Sequence, residues 1–445
     1  MKVAVVVQRY GININGGAEL HARYVAEHLA KHIDVEVLTT CATDYVTWRN
    51  ELPSGIDQVN GITVHRFPVK QERDIKDFSK QSAKVFSHTH SMADELRWLE
   101  SEGPTSTALI EHIQNHKDNW DYLIFFTYRY YQTYHGVRKA ASRSILVPTA
   151  ERDAAIGVSL FGSIFRGARA IMYNSFEERA LIQKLTGNVN VPSEVVGVGS
   201  EIPPTADPLR FRKKFGVDSR FALYVGRIDK NKGCEELFHF FSRYVMVYPS
   251  GLSLVLLGRS IIDIPSNPKI HSLGFVSDQD KFDALAAADL LIMPSYYESL
   301  SMVLLESWAL GRPVLVNGHC DVLRGQCIRS NGGLYYENHD EFVESLRLME
   351  QDRCLKVALG QNGQDYFQQH YAWPVIEQKY LSILDQLQQE DASGVSNRQI
   401  EPLPGWLGRR KTNLPPAEQI VNNIPRGHVS LGSSIPTSSE PTRSQ

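Results

Sequence analysis

Apolar residues in this chain fall into short continuous runs separated by longer stretches in which they recur every three to four positions. Val3 to Val7 is one such run; a helix-like stretch from Ala18 to Lys31 and a second run, Val35 to Leu38, follow it. Short apolar runs suit strands buried on both faces, and amphipathic stretches between them suit crossover helices, so the pattern predicts βαβ units. It continues with strands at Ile62 to Phe67, Tyr122 to Phe126, Ser144 to Val147 and Ala170 to Tyr173. A second series runs through Phe221 to Val225, Leu252 to Leu257, His271 to Gly274, Leu290 to Met293 and Pro313 to Val316. The expected fold class is therefore α/β, with two Rossmann-like domains at residues 1–190 and 219–372. Between them, Val191-Pro192-Ser193 and Ile202-Pro203-Pro204-Thr205 break the periodicity, as expected of a linker over 191–218. An amphipathic helix at 373–390, with Pro374 in its first turn, ends the pattern. Residues 391–445 are dense in Pro, Ser, Gly, Asn and Thr and predict a mostly disordered tail, with room for a short helix around Pro416 to Asn422.

The length of 445 residues agrees with two ordinary domains and a remainder. Hydrophobic residues at 42% suffice for two cores, and a formal net charge of -3 leaves no global attraction to nucleic acid. Anion binding must then come from a local pocket. The five cysteines are odd in number, widely spaced and without a CxxC pair, which argues against a disulfide framework or a zinc site and for a reducing compartment. The first apolar run is too short for a signal peptide, and no later run is long enough to span a bilayer, so a cytoplasmic location is expected.

Three segments carry candidate chemistry. The first βα turn, Gln8 to Glu19, contains Gly16 and Gly17 between a buried strand and a helix, where backbone N–H groups can face an anion. It does not match GxGxxG, and no acidic residue ends the second strand, which argues against a dinucleotide cofactor. Further on, Gly226-Arg227-Ile228-Asp229-Lys230-Asn231-Lys232-Gly233 places Arg227 and Lys232 after a strand and before a helix. An Arg fork and a Lys ammonium at a strand's C-terminal end suit a diphosphate and could stabilise charge growing on a leaving group. Last, Glu298-Ser299-Leu300-Ser301 opens an apolar helix that carries Glu306 among Leu304, Leu305, Trp308 and Ala309. A carboxylate in such surroundings needs partners, and ribose hydroxyls would serve.

Taken together, Gly-Arg-x4-Lys and Glu-x7-Glu before Ala309-Leu310-Gly311-Arg312-Pro313-Val314 resemble glycosyltransferase family 4 over roughly Met1 to Gln389. The resemblance implies the GT-B fold, two Rossmann-like domains facing across a cleft. It also implies retention of anomeric configuration and no metal or cofactor, with a nucleoside-diphosphate sugar as substrate. By that resemblance Gly16 and Gly17 pack on the diphosphate, Arg227 and Lys232 bind phosphate oxygens, Glu298 contacts sugar hydroxyls and Glu306 holds the ribose. Val276, in the loop Leu273 to Ser277, is expected beside the base, and Leu300 and Ser301 at the phosphate-facing start of the helix. The expected partners are a hexose-type donor and a saccharide, lipid-linked or small-molecule acceptor, with no nucleic acid.

Two departures from the resemblance stand out. The usual Glu-x-Phe-Gly reads Glu298-Ser299-Leu300-Ser301, with Ser in place of Gly. The Pro-Thr-Ala segment, often followed by His near the transferred sugar, continues here with Glu151-Arg152-Asp153. Glu151 is expected to accept a hydrogen bond from a donor-sugar hydroxyl. Asp278-Gln279-Asp280 imitates a metal signature but follows a strand and opens a helix after Ser277, so capping is expected. Arg73, Lys76, Lys80 and Lys84 suit a solvated helix face, peripheral contact with anionic lipid at the membrane's inner face being the alternative. The competing functions are an epimerase or phosphorylase on the same fold and a non-catalytic nucleotide-sugar binding or scaffold protein.

Overall fold

The structure is a computed structural model that describes residues 1–14, 16–248, 251–394, 402 and 406–426. Its first sheet holds β1 (Lys2–Val6), β2 (Asp34–Thr40), β3 (Gly55–Val59), β4 (Ile62–Phe67), β5 (Tyr122–Phe126), β6 (Ser144–Val147), β7 (Ala170–Tyr173) and β8 (Ser193–Val195). They lie in the order β3-β4-β2-β1-β5-β6-β7-β8, all parallel except the β3–β4 pair. The second sheet holds β9 (Phe221–Val225), β10 (Ser253–Leu257), β11 (Ile270–Ser272), β12 (Leu290–Met293), β13 (Val314–Asn317) and β14 (Gly333–Tyr336). Its order is β11-β10-β9-β12-β13-β14, parallel throughout.

The continuous apolar runs have the physical origin expected of parallel sheets. Along β1, Val3 and Val5 enter one core while Ala4 and Val6 enter another, and β9 divides Phe221 and Leu223 from Ala222 and Tyr224 in the same way. A strand covered by helices on both faces has no polar side to display. In each sheet the chain first builds outward in one direction and then returns to the middle to build in the other, so order reverses between β1 and β5 and between β9 and β12. Ligand crevices in such sheets open beyond the strands' C-terminal ends at these switch points.

The stretch 191–218 is not bare linker. Val195 pairs with Tyr173 to place β8 on the sheet edge, and Asp207 caps a helix, Pro208–Phe215, whose Phe211 is buried. The helix at the end of the pattern runs Trp373–Ala392 and packs back on the first domain. There Arg169, 2% exposed, donates to Asp391 at 3.0 Å and to Glu390 at 2.8 Å, and the Tyr122 hydroxyl donates to Asp391 at 2.6 Å. At the helix's other end Trp373 stacks on His28 with ring centroids 3.6 Å apart.

The expected disorder of the tail does not extend to residues 406–426. Leu414 exchanges backbone hydrogen bonds with His90 at 3.0 and 3.1 Å, and the short helix forms at Ala417–Asn422 with Ala417 and Val421 buried. The contact with Gly157 is so close that a Cβ there would lie 2.2 Å from the Ala417 carbonyl oxygen. Arg152 donates to the Val421 carbonyl at 3.2 Å and to that of Ile424, and Arg426 reaches the His319 carbonyl of the second domain at 3.3 Å. A chain ending at Gln389 would thus lose the Arg169 partners as well as this segment. Ending the chain at Gly394 isolates the tail's contribution: loss of the buried Leu414 and Val421 contacts should lower the melting temperature by roughly 5 °C or more. A truncated chain that melts with the full chain would show the segment to be a passive decoration.

Candidate active site

The two switch points face each other across a cavity of about 320 Å³. Gly17, Ala18, His21, Thr149, Glu151 and Asn174 line it from the first domain, and Lys232, Glu298 and Ser299 to Met302 from the second. Two helices begin at this cavity without a side-chain cap: Gly17–Leu29, preceded by Gly16, and Met302–Ala309, preceded by Ser301. Their orphan N–H groups and dipoles make the walls favourable to an anion.

The glycines of the first loop have different reasons to be glycine. A Cβ on Gly16 would sit 1.9 Å from Glu19 Oε2, in the buried pair that Glu19 makes with Arg9 at 2.6 and 2.8 Å. Gly17 would meet nothing within 4 Å and leaves the cavity wall open. In the second domain Gly258 has φ +138, and a Cβ there would lie 1.9 Å from the Gly226 carbonyl. Its N–H bonds the Gly274 carbonyl at 2.8 Å, which ties together the loops after β9, β10 and β11.

Asp229, 3% exposed, organises the loop after β9: it accepts from the Arg227 guanidinium and, at 2.8 Å, from the Lys232 backbone N–H. Lys232 Nζ then donates to Glu298 Oε1 at 2.7 Å. Burial alone would favour the neutral amine, but Glu298 and Glu151 together hold the ammonium protonated above the usual lysine range. Glu151 responds the other way. Burial pushes its carboxyl up to about 7, with Glu298 and Asp153 adding to the rise and Lys232 and Arg129 opposing it. The loop bearing Glu151 is held by Glu178, whose carboxylate accepts from the Ala150 and Asn174 N–H groups at 2.5 Å each.

Of the residues singled out from sequence, Gly17, Glu151, Lys232, Glu298, Leu300 and Ser301 come together on one cavity. Gly16 stands directly behind Gly17. Arg227 is half exposed and turned to Asp229, and neither it nor Val276 or Glu306 lines the cavity. Val276 is partly buried against the core beside an exposed Phe275. Glu306 is buried under the helix start, where Lys281 donates to it at 2.8 Å; burial raises its pKa and Lys281 offsets part of the rise. Tyr24 of the first domain lies close enough to feel Asp278 and Glu306: burial first, and then these carboxylates, push its phenol up to about 12.

Several participants were missed from sequence. His21 stands one helical turn after Gly17, Asn174 directly follows β7, and Asp229 lies between the two cations, positions that a strand-end search would have collected. Glu178 completes Ser175-x-x-Glu178, a legible capping-box pattern. Asp280 bonds its cap, Ser277, at 2.6 Å and Lys214 at 2.7 Å, so the Asp-x-Asp segment serves helix capping and an ion pair. The basic stripe is not uniformly free either, since Arg73 pairs with Glu102 at 3.1 Å and Lys84 with Asp94 at 2.7 Å. Among the described residues no helix is long and apolar enough to cross a membrane.

Comparison with known proteins agrees with this geometry. Residues 206–366 match the family model described as Glycosyl transferases group 1. An uncharacterised glycosyltransferase of Methanocaldococcus jannaschii is 22% identical over 86% of this chain and 97% of its own length. Mannosylfructose-phosphate synthase of Agrobacterium fabrum is 24% identical over 41% of this chain, which spans 47% of that enzyme. Among solved structures, sucrose-phosphate synthase of Thermosynechococcus elongatus superposes with TM-score 0.64 at 16% identity, over 87% of this chain and 99% of that one. Anabaena HepE in complex with UDP-glucose does so with TM-score 0.62 at 15% identity, over 87% and 100%. The fold is the GT-B fold, and the comparisons support a glycosyltransferase of group 1.

The raised Glu151 pKa has a consequence for stability. Because its folded value of about 7 exceeds the ordinary glutamate value of 4.5, the stability linked to its proton is complete below the lower figure and is lost as pH rises through the higher. The wild-type melting temperature should therefore fall relative to that of Glu151→Gln between pH 5 and pH 8.5, on the order of a few degrees. Parallel melting curves across that range would show that Glu151 titrates normally.

Proposed function

We propose that this chain is a retaining, metal-independent glycosyltransferase that moves a hexose-type sugar from a nucleoside-diphosphate donor to a glycan, lipid-linked or small-molecule hydroxyl. The observation that carries the reading is the Lys232–Glu298 pair at 2.7 Å, set between two helix N-termini on a cavity walled by both domains. A leaving diphosphate needs positive charge placed where its own charge develops, and a fixed ammonium with two sets of unpaired backbone N–H groups provides it. Among the described residues Lys232 bonds one Glu298 oxygen, and the other would take a sugar hydroxyl. A relative named mannosylfructose-phosphate synthase and a fold neighbour solved with UDP-glucose support a nucleotide-sugar donor.

In this reading the first domain holds the acceptor and the second the nucleotide, with Glu306 and Lys281 near the ribose and the loop around Val276 near the base. Retention follows if the acceptor hydroxyl attacks from the face the diphosphate leaves, with a phosphate oxygen taking its proton. An epimerase or phosphorylase would place no demand on both Glu298 and Glu306, and a pure scaffold would have no use for a cavity this polar.

The test begins with thermal stabilisation by UDP, GDP, ADP, CDP and TDP, followed by product formation from the matching sugar donors in the presence of a chelator. Stabilisation by one of them and transfer with retained anomeric configuration are expected; no stabilisation by any would overturn the reading. Lys232→Ala should weaken binding of the preferred nucleoside diphosphate about 10- to 100-fold, the worth of a hydrogen-bonded charge. Arg227→Ala should cost less, because Arg227 is turned to Asp229.

The two glutamates should separate by titration calorimetry and turnover. Glu306→Gln, which keeps volume beside Lys281, is expected to weaken the nucleoside diphosphate itself, whereas Glu298→Gln mainly slows transfer. Equal loss of nucleotide affinity in both variants would contradict the division of roles.

A further inference from the structure

A second cavity, of about 100 Å³, shares Glu298 with the first. The first domain contributes Arg152 to its wall, the second His319 and Asp321, and the docked tail Val421 and Arg426. It has room for several waters or for the charged end of a larger ligand. The tail lies beyond the stretch that resembles family 4, so this wall is not one that the resemblance supplies.

Charge around this cavity is unevenly matched. Each carboxylate on it already has a partner: Glu177 pairs with Arg329 at 2.5 and 3.0 Å, Glu298 with Lys232 at 2.7 Å, and Asp321 with Arg324 at 3.5 Å. Glu178 accepts two backbone N–H groups, and burial pushes its carboxyl up to about 8. The two guanidinium groups are matched less well. Arg152, whose side chain is 21% exposed, spends one nitrogen on the tail carbonyls of Val421, at 3.2 Å, and Ile424, and the other stands 3.8 Å from Asp321. Arg426 is exposed, reaches the His319 carbonyl at 3.3 Å and makes no ion pair among the described residues. The two groups feel each other: burial pulls the Arg152 guanidinium below its usual value, Asp321 opposes the fall and Arg426 adds to it. Binding the tail carbonyls accounts for Arg152 alone. Two like charges on one small cavity repel, and each fork keeps donors that the backbone does not use, so an oxyanion between them would remove the repulsion and fill both forks.

We propose that Arg152 and Arg426 form an oxyanion subsite for the acceptor, so that the molecule receiving the sugar carries a phosphate or carboxylate group. This rests on the proposed function and names the acceptor class, which that function leaves open. The place of the cavity carries the assignment. In that function Lys232 and the two helix N-termini take the donor's diphosphate, so a second anion held across Glu298 belongs to the other substrate. The hydroxyl to be glycosylated must reach the sugar beside Glu298, and a charged group anchored at Arg152 leaves it there. The tail then forms part of the acceptor wall: Leu414 and Val421 seat it on the first domain, and Arg426 carries it across to the second.

The experiment uses the full chain with the preferred nucleoside diphosphate at saturation, which fills the first cavity, and compares melting temperatures in phosphate and in chloride of equal ionic strength. Phosphate stabilises folded chains in general, so the quantity read is the difference between wild type and Arg426→Gln, an exposed position whose variant should melt with the wild type in chloride. Wild type should gain more from phosphate than Arg426→Gln or Arg152→Gln, as expected of a site weakened about 10-fold in each variant. Equal gains in all three would overturn the site. Transfer from the matching nucleotide sugar is then measured to glucose, glucose 6-phosphate and glucuronate. One of the two anions should be preferred in kcat/KM, which tells phosphate from carboxylate, and that preference should fall about 10-fold in Arg426→Gln. Phosphate binding with no preference for either anion would overturn the acceptor assignment. A wild-type chain that binds no nucleoside diphosphate overturns the proposed function, whereas one that binds it and gains nothing beyond its variants from phosphate overturns this inference alone.

Discussion

The cleft exists because the last long helix returns to the first domain and stays there. Arg169 is a guanidinium almost wholly removed from water, and among the described residues Glu390 and Asp391, at the end of Trp373–Ala392, neutralise it. Removing those carboxylates would leave an unpaired buried charge, a change that costs about 3–5 kcal/mol in comparable settings. At the opposite end the same helix presents Glu377 to His28 at 2.5 Å and Trp373 to the face of the His28 ring. Fixed at both ends, it holds the C-terminal edges of two sheets towards each other. The apolar core runs without a break from Val3 and Val25 through Ile376 and Leu384 to Phe221 and Leu304, so the halves are parts of one packed body.

That arrangement decides which charges can meet. Lys232 and Glu298 come from loops after neighbouring strands of one sheet, but Glu151 comes from the other sheet and is felt by both. One ammonium therefore stands among two carboxylates, and the cavity's charge is poised for change. On the proposed function, a diphosphate between the two helix N-termini would be drawn by Lys232 and repelled by Glu151, and the cheapest adjustment would be for Glu151, already raised to about 7, to hold its proton. In that form it can donate as well as accept a hydrogen bond, which widens the hydroxyl patterns it can meet.

Much of the scaffold was legible because parallel strands buried on both faces must be apolar throughout. β4, β5, β6, β7, β9 and β12 begin and end where the hydrophobic runs do. The strands that escaped notice lack that constraint. β3 is exposed over Gly55 to Gln58 and is held by its hairpin partner through Asn60-Gly61, whose positive φ values of 49° and 81° are the backbone that such a turn requires. β8 is a three-residue edge strand, and β14 opens with Gly333, whose missing side chain hides it from any pattern of apolar positions. The docked tail escaped for a related reason: its polar composition conceals three small buried contacts, Leu414, Ala417 and Val421, which suffice because Gly157 lets the backbone approach. Site residues with charged side chains on strand-end loops were legible, whereas His21 and Asn174 were not, since nothing in the chain marks a buried histidine or asparagine as unpartnered until the opposing wall is in place.

The two places where the chain departs from the resemblance, Glu151 and Ser301, belong to one argument. They lie in different domains and 150 residues of chain separate them, yet both line the same cavity. Random loss of function would strike the charged groups as readily, and Lys232, Glu298 and the Asp229 brace are intact and mutually bonded. Both changes also carry a cost: among the described residues the buried Ser301 hydroxyl has no hydrogen-bond partner and its backbone is strained, and the Glu151 carboxyl is desolvated, with Lys232 and Arg129 offsetting part of that. Two unfavourable choices on facing walls are hard to retain unless one ligand compensates both. On the proposed function, the pair would adapt donor recognition, with Glu151 towards the sugar and Ser301 towards the diphosphate, beside the intact Lys232–Glu298 pair.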